Sequence, residues 1–155
     1  MSVKIKPIGH VVGGRKEAID DDWGDNTAVI ALDPAEFDQQ ALLGLDDFSH
    51  AEIIFIFDKV PETKIERGAR HPRGRKDWPR VGIFAQRGKN RPNRIGLTTC
   101  EVVAVDGLEL TVRGLDAIDG TPVLDIKPLM RGFLARGEVR EPEWAEEIMK
   151  EYWEV

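Results

Sequence analysis

Apolar positions along this chain come in short runs separated by Gly, Pro, Asn and Asp, and the runs have strand rather than helix spacing. The first predicted strand is Val3–Val12, with apolar residues at 3, 5, 8 and 11 and a Gly13-Gly14 stop. Thr27–Leu32 is the second. Ala51–Phe57 is nearly continuous in apolar character, which predicts a strand buried on both faces. Val81–Gln86, Ile95–Val105, Leu108–Arg113 and Val123–Ile126 follow, and Asp106-Gly107 and Asp119-Gly120 mark turns. Asp33-Pro34 suits the cap and first turn of a short helix over Ala35–Leu43. Pro142–Trp153 carries Trp144, Ile148, Met149 and Tyr152 on one side and early acids, so it predicts a C-terminal amphipathic helix. The expected fold is mainly β: a single-sheet antiparallel β-barrel of about six or seven strands with a short helix and a C-terminal helix. No G-x-G-x-x-G joins a strand to a helix, so a doubly wound nucleotide fold is not supported.

A chain of 155 residues with 41% hydrophobic and 32% charged residues is expected to form one globular domain. The barrel is expected over 1–130, and 131–155 as a tail with a helix in the same domain. No apolar run approaches the roughly 20 residues of a membrane span, and the start MSVKIKPIGH lacks a signal-peptide core. The single cysteine, Cys100, lies in an apolar run and reads as a buried, inert thiol. The cytoplasm is the expected compartment.

Charge changes this bland picture. The net charge is −6, yet Lys64 to Arg94 holds eleven Lys or Arg against two acids, Glu66 and Asp77, a local +9 that leaves −15 on the rest. Such asymmetry points to an anionic ligand such as RNA phosphate, with a solvated basic loop as the plain alternative. Within the segment, Arg87, Lys89, Arg91 and Arg94 sit on one loop that Gly88, Pro92 and Asn93 hold out of regular structure. Arg offers a planar fork for carboxylate or phosphate. Trp78 reads either as a base-stacking surface or as an anchor for the long loop Glu62–Arg80.

The three histidines (His10, His50, His71) have no zinc-like spacing, and no P-loop, nucleophile elbow or EF-hand pattern occurs, so no metal is expected. His10 and His50 read as structural.

Five segments occur in a specific order: Asp47-Phe48-Ser49-His50; His71-Pro72-Arg73-Gly74; Gly82-Ile83-Phe84-Ala85-Gln86-Arg87; Arg91-Pro92-Asn93-Arg94-Ile95-Gly96-Leu97-Thr98; and Asp119–Pro128. With them the chain resembles the TsaA-like (YaeB/TrmO) family of S-adenosylmethionine-dependent methyltransferases, whose best-known members N6-methylate threonylcarbamoyl-adenosine at tRNA position 37. The resemblance implies a β-barrel, a homodimer, and S-adenosylmethionine at the basic loop. It places Arg87, His71, Pro72 and Leu97 at the cofactor, Asp119, Gly120, Thr121 and Pro122 opposite them, and Asp22-Trp23 in an early contacting loop. An Arg suits the cofactor's carboxylate, and an Asp suits its cationic groups. The tRNA anticodon loop is the implied partner, contacted by Arg73, Arg75, Lys76, Lys89, Arg91 and Arg94. Asp119, Asp125 or a neutral His71 is the expected acceptor of the N6 proton, and the sequence does not choose among them.

Two departures from the family pattern stand out. Gln86, Gly88-Lys89 and Arg94 replace the usual Thr, Ser-Pro and second Pro, which predicts a more flexible and more basic loop. A short helix stands where tRNA-acting members often carry a further domain, which leaves a non-catalytic S-adenosylmethionine-binding module and a plain RNA-binding barrel as alternatives.

Overall fold

The computed structural model describes residues 1–155. Six strands close into an antiparallel barrel: β1 (Gly9–Val12), β2 (Thr27–Leu32), β3 (His50–Ile56), β6 (Ile95–Asp106), β7 (Glu109–Arg113) and β8 (Pro122–Pro128). Around the barrel the order is β1-β2-β7-β6-β3-β8. Closure comes from β1 against β8, with Gly9 opposite Val123 and His10 opposite Pro122. A separate two-stranded ribbon pairs β4 (Ala69–Arg70) with β5 (Val81–Gly82) at the root of the basic loop. Closure removes free strand edges, which a single sheet of this size otherwise exposes.

The core is the inward row of each strand: Val11, Ile30, Ile53, Phe55, Cys100, Leu110, Val112 and Val123, all fully buried. Each such side chain contributes about 1.5–3 kcal/mol relative to exposure. Gly96 is required by this packing, because a Cβ there would lie 2.5 Å from the Phe55 ring. Gly107 adopts φ 58° in the β6–β7 turn, the left-handed geometry that Asp-Gly supplies.

Four expectations need correction. The first strand is shorter than Val3–Val12. Only Gly9–Val12 pairs, because β2 ends at Leu32 and the residues before Ile8 have no strand beside them; Val3 and Ile5 are exposed. β3 is not buried on both faces, since Ala51, Ile53 and Phe55 point inward while Glu52, Ile54 and Ile56 are half-buried. The short helix over 35–43 is absent. Asp33 does cap the amide of Ala35 at 3.0 Å, but Asp38 then takes the amide of Gln40 at 2.9 Å and starts a second turn. Finally, the run 81–86 is two strand residues followed by a 3-10 turn over Ile83–Ala85. Gln86 completes it: its buried amide donates to the carbonyls of Arg70 (3.1 Å) and Val81 (3.0 Å).

The C-terminal helix α1 spans Glu143–Ile148, and turns carry the chain on to Trp153. No helix is long and apolar enough to cross a membrane.

Candidate functional site

The site is built from loops at one end of the barrel. The Asp119–Thr121 turn is latched to the end of β1. Asp119 Oδ1 accepts from the Gly13 amide (2.8 Å), the Asp119 amide donates to the Arg15 carbonyl (2.8 Å), and the Gly120 amide donates to the Val11 carbonyl (2.7 Å). Thr121 Oγ1 donates to the Ile118 carbonyl at 2.7 Å, and Pro122 opens β8 opposite His10. Gly120 has φ 88°, which a glycine adopts at no steric cost.

Arg15 carries the connection onward. Its guanidinium donates to the carbonyls of Asp21 (2.9 Å) and Asp22 and stacks 4.0 Å above the Trp23 ring. Trp23 is buried, and its indole N–H donates to the Ile19 carbonyl at 2.9 Å. Asp21 in turn receives Arg73 at 2.9 Å. That pair joins the acidic loop to the His71–Gly74 segment, 52 residues away in sequence. Pro72 is fully buried there, and His71 Nδ1 lies 2.8 Å from the Trp78 carbonyl. A carbonyl only accepts, so Nδ1 carries a hydrogen, and Nε2 is the nitrogen left without a protein partner.

The other wall is the start of β6. Arg87 is exposed and donates to the Leu97 carbonyl at 2.5 Å. The Leu97 side chain is 41% exposed on the outer face, available to cover a flat ring. The next residue, Thr98, donates to Asp116 Oδ1, and Tyr152 donates to Asp116 Oδ2. The two walls meet through the C-terminal segment. The amides of Asp22, Trp23 and Gly24 donate to the carbonyls of Glu151 (3.1 Å), Tyr152 (2.8 Å) and Glu154 (3.3 Å). Burial first, and then the Asp116 charge, push the Tyr152 phenol far above its ordinary range. The same two causes push Cys100 up, in keeping with an inert thiol. A cleft of about 330 Å³ opens between α1 and the basic loop, lined among others by Asp21, Arg73, Arg75, Trp78 and Glu147.

The fold thus gathers Asp22, Trp23, His71, Pro72, Arg87, Leu97 and Asp119–Pro122 at one end of the barrel. Asp125 is exposed on β8, level with Ile54 and Leu97 and two strands across from Leu97. Its Oδ1 takes the Ile126 amide at 2.9 Å, with Lys127 at 3.7 Å. The six basic residues expected at RNA divide sharply. Arg73 is held by Asp21, and Arg75 pairs with Asp77 and stacks on Trp78. Arg91 donates to the Gln86 (2.8 Å) and Gly88 (3.3 Å) carbonyls, and Arg94 to the Val60 carbonyl at 2.6 Å. These arginines brace the loop through backbone carbonyls and ion pairs. Lys76 and Lys89 are exposed and take no protein partner. Sequence reasoning missed Arg15, Asp116 and Tyr152, none of which sits in a motif dense enough to stand out.

Residues 21–133 match the family model described as tRNA-methyltransferase O N-terminal domain. The human tRNA (adenine(37)-N6)-methyltransferase is 38% identical over 104 residues, covering 67% of this chain and 23% of that protein. A Methanothermobacter thermautotrophicus protein named "Probable S-adenosyl-L-methionine-binding protein" is 35% identical over 132 residues, covering 83% of this chain and 90% of its own. A crystal structure of TrmO from Pseudomonas aeruginosa superposes with a TM-score of 0.74 at 27% identity, over 93% of this chain and 62% of that one. The chain spans only 22–23% of the length of the mammalian relatives it matches.

Proposed function

Because the chain belongs to the tRNA-methyltransferase O N-terminal domain family, we propose that it binds S-adenosylmethionine at the end of the barrel and transfers the methyl group to N6 of adenosine 37 in tRNA. The observation that carries this reading is the Arg73–Asp21 pair, which brings the His71–Gly74 segment onto the Asp22–Trp23 loop. Two segments far apart in sequence, both within the stretch that matches the family, thereby lie together at the loop end of the barrel, the end at which β6 begins, near Leu97. The residues fit the group. Arg87, in no ion pair, suits a carboxylate, the exposed Leu97 side chain suits an adenine face, and Asp116 supplies negative charge for the cationic end.

When bound, the sulfonium supplies a methyl group on an already good leaving group. The protein's task is then alignment and exclusion of water. His71 is the proposed acceptor of the N6 proton, because Nδ1 is fixed on the Trp78 carbonyl and Nε2 is left without a protein partner. Asp119 spends one carboxylate oxygen on the Gly13 amide, which favours a structural part for it. Lys76 and Lys89 are the proposed phosphate contacts, and a tRNA substrate puts the work in the cytoplasm. We assign the exposed stretch 131–143, with Phe133, Leu134 and Val139 uncovered, to contact with a second copy of the chain.

Isothermal titration with S-adenosylmethionine and S-adenosylhomocysteine is the first test, followed by transfer of labelled methyl to tRNA lacking the modification. Micromolar binding of both ligands together with transfer supports the reading. Binding without transfer favours the binding-module alternative, whose support is the similarly sized M. thermautotrophicus relative. Folded protein that binds neither ligand overturns both.

A further inference from the structure

Arg70 belongs to the short ribbon at the root of the basic loop, where it pairs with Val81. Its backbone is fixed there, because the Gln86 side-chain amide donates to its carbonyl at 3.1 Å and to the Val81 carbonyl at 3.0 Å. Its side chain has no such anchor. Nε is buried without a hydrogen-bond partner, the one buried side-chain nitrogen of the chain left so, and the two Nη groups reach the surface. The guanidinium enters none of the chain's ion pairs. Glu66, four residues away, turns Oε2 to the amides of Arg67 (3.1 Å) and Gly68 (3.0 Å) instead. A half-buried guanidinium thus carries a desolvation cost that no acid offsets, and an anion at its Nη groups would offset it. The guanidinium lies against Gly88, where a Cβ would be 2.6 Å from Nη2. Arg91 reaches the same residue: its Nη1 donates to the carbonyls of Gln86 (2.8 Å) and Gly88 (3.3 Å), and it too is in no ion pair. The Arg91 guanidinium also lies 5.9 Å from the centre of the Phe84 ring, which is 75% exposed. Two unbalanced cations and one uncovered aromatic face therefore converge on the Phe84–Gly88 segment.

A guanidinium fork beside a bare ring matches one nucleotide of single-stranded RNA, whose phosphodiester meets the fork and whose base lies on the ring. We propose that Arg70, seated over Gly88, holds a phosphodiester of the RNA strand whose adjoining base stacks on Phe84. Arg70 takes the non-bridging oxygens through its Nη groups. Gly88 belongs to the site by what it lacks, since a side chain there would displace the Arg70 head. Arg91 is fixed on two carbonyls and joins the glycine to the ring, adding its charge without moving. A free phosphate ion would use the cations and leave the ring idle, so the exposed ring favours the RNA strand. This inference rests on the RNA-substrate reading above. It adds to Lys76 and Lys89 a phosphate site that depends on geometry as well as charge.

The test is mobility-shift titration of the full chain with an unmodified tRNA transcript over a range of salt concentrations. Arg70→Gln should weaken binding about tenfold, the loss of one charge-assisted contact, and lower the salt dependence by about one phosphate. Lys64→Gln removes the same charge from the same basic segment but outside the site, and it should change binding far less. Equal losses in the two variants would reduce Arg70 to bulk charge and overturn the site. Gly88→Ala keeps every charge, and its Cβ meets only the movable end of Arg70. It should therefore melt with wild type and still bind RNA about tenfold more weakly. If Arg70→Gln does not fold, Gly88→Ala decides alone, and wild-type affinity in it overturns the proposal. Calorimetry with inorganic phosphate separates the other source of the anion. Phosphate binding that Arg70→Gln abolishes while RNA affinity is kept would assign the site to a free ion and overturn the RNA strand. S-adenosylmethionine affinity should be equal in wild type and Arg70→Gln, and a parallel loss would move Arg70 to the cofactor. A wild type that binds no RNA at low salt removes the RNA reading together with this site, whereas RNA binding insensitive to both variants removes the site alone.

Discussion

The indole N–H of Trp78 donates to Glu147 Oε2 at 3.0 Å, a bond across 69 residues that ties the long basic loop to α1. Trp78 is only 4% exposed, and the Arg75 guanidinium stacks 4.0 Å from its ring centre. Of the two roles open to this residue from sequence, the geometry selects the anchor. A base cannot stack on a face that is already covered.

Cutting that bond has a calculable cost. Glu147→Ala leaves a buried indole donor without a partner, so the chain should lose about 1–3 kcal/mol of stability. Trp78→Ala should lose about 3–5 kcal/mol, because it also empties the space under Arg75. Denaturant midpoints at constant m-value measure both. Equal midpoints for wild type and Glu147→Ala would show the bond to be idle.

The aromatic available to a base is Phe84. It is 75% exposed beside the basic loop, with the Arg91 guanidinium 5.9 Å from its ring centre. Aromatic stacking on an unpaired base is worth about 1–3 kcal/mol. Phe84→Ala should therefore weaken tRNA binding about tenfold while leaving the melting temperature unchanged. Unchanged binding by filter or mobility-shift titration would remove Phe84 from the RNA surface.

The barrel was legible because its signals are local. Thr27–Leu32 and the Asp106-Gly107 hairpin carry their own spacing and turn chemistry, and both form as read. Family motifs marked residues that the fold brings to one end of the barrel. The rest depended on partners distant in sequence. Ile83 and Phe84 look like strand residues, but the chain enters a 3-10 turn at Ile83–Ala85, and the Gln86 side chain bonds back to the Arg70 and Val81 carbonyls of the short ribbon. Asp116 is one acid among many until the fold brings Thr98 from 18 residues away and Tyr152 from 36. The arginines of the loop read as a charged surface, yet Arg91 and Arg94 are spent on backbone carbonyls, which pattern alone does not reveal.

Arg87 tests the cofactor reading directly. Its guanidinium makes one hydrogen bond, to the Leu97 carbonyl, and the residue is exposed, so truncation removes little packing. Arg87→Ala should weaken S-adenosylmethionine about tenfold or more, since a charge-assisted pair is lost, with stability within about 0.5 kcal/mol of wild type. Calorimetry showing unchanged affinity would remove Arg87 from the site.

The alkaline limb of stability follows from two buried acids. Folding disfavours the anions of Cys100 and Tyr152, so both titrate higher in the folded chain than their ordinary values of 9.0 and 10.0. Protons are then held more tightly in the folded state, and stability is full below pH 9 and falls as pH rises beyond it. Each group contributes a slope of about 1.4 kcal/mol per pH unit once its unfolded form has ionised. Cys100→Ala should lower overall stability through the lost packing and yet flatten the decline between pH 9 and 10. Parallel curves for variant and wild type, from guanidinium unfolding across that range, would show that the thiol does not govern the limb.

The exposed arm sets the last expectation. Phe133 is 80% exposed, Leu134 53% and Val139 74%, and the only backbone bonds near its start are local ones, Phe133 to Met130 (2.9 Å) and Leu134 to Arg131 (3.1 Å). Three apolar side chains on one uncovered stretch leave apolar area in water, which a second copy of the chain would bury at about 25 cal/mol per Å². Light scattering should therefore give twice the chain mass for wild type. The paired change Phe133→Asp and Leu134→Asp should return the single-chain mass, because it places charge where the contact is apolar, without lowering the melting temperature of the barrel. A single-chain mass for wild type at tens of micromolar concentration would refute the contact, and an unaltered dimer in the double variant would move it to another face.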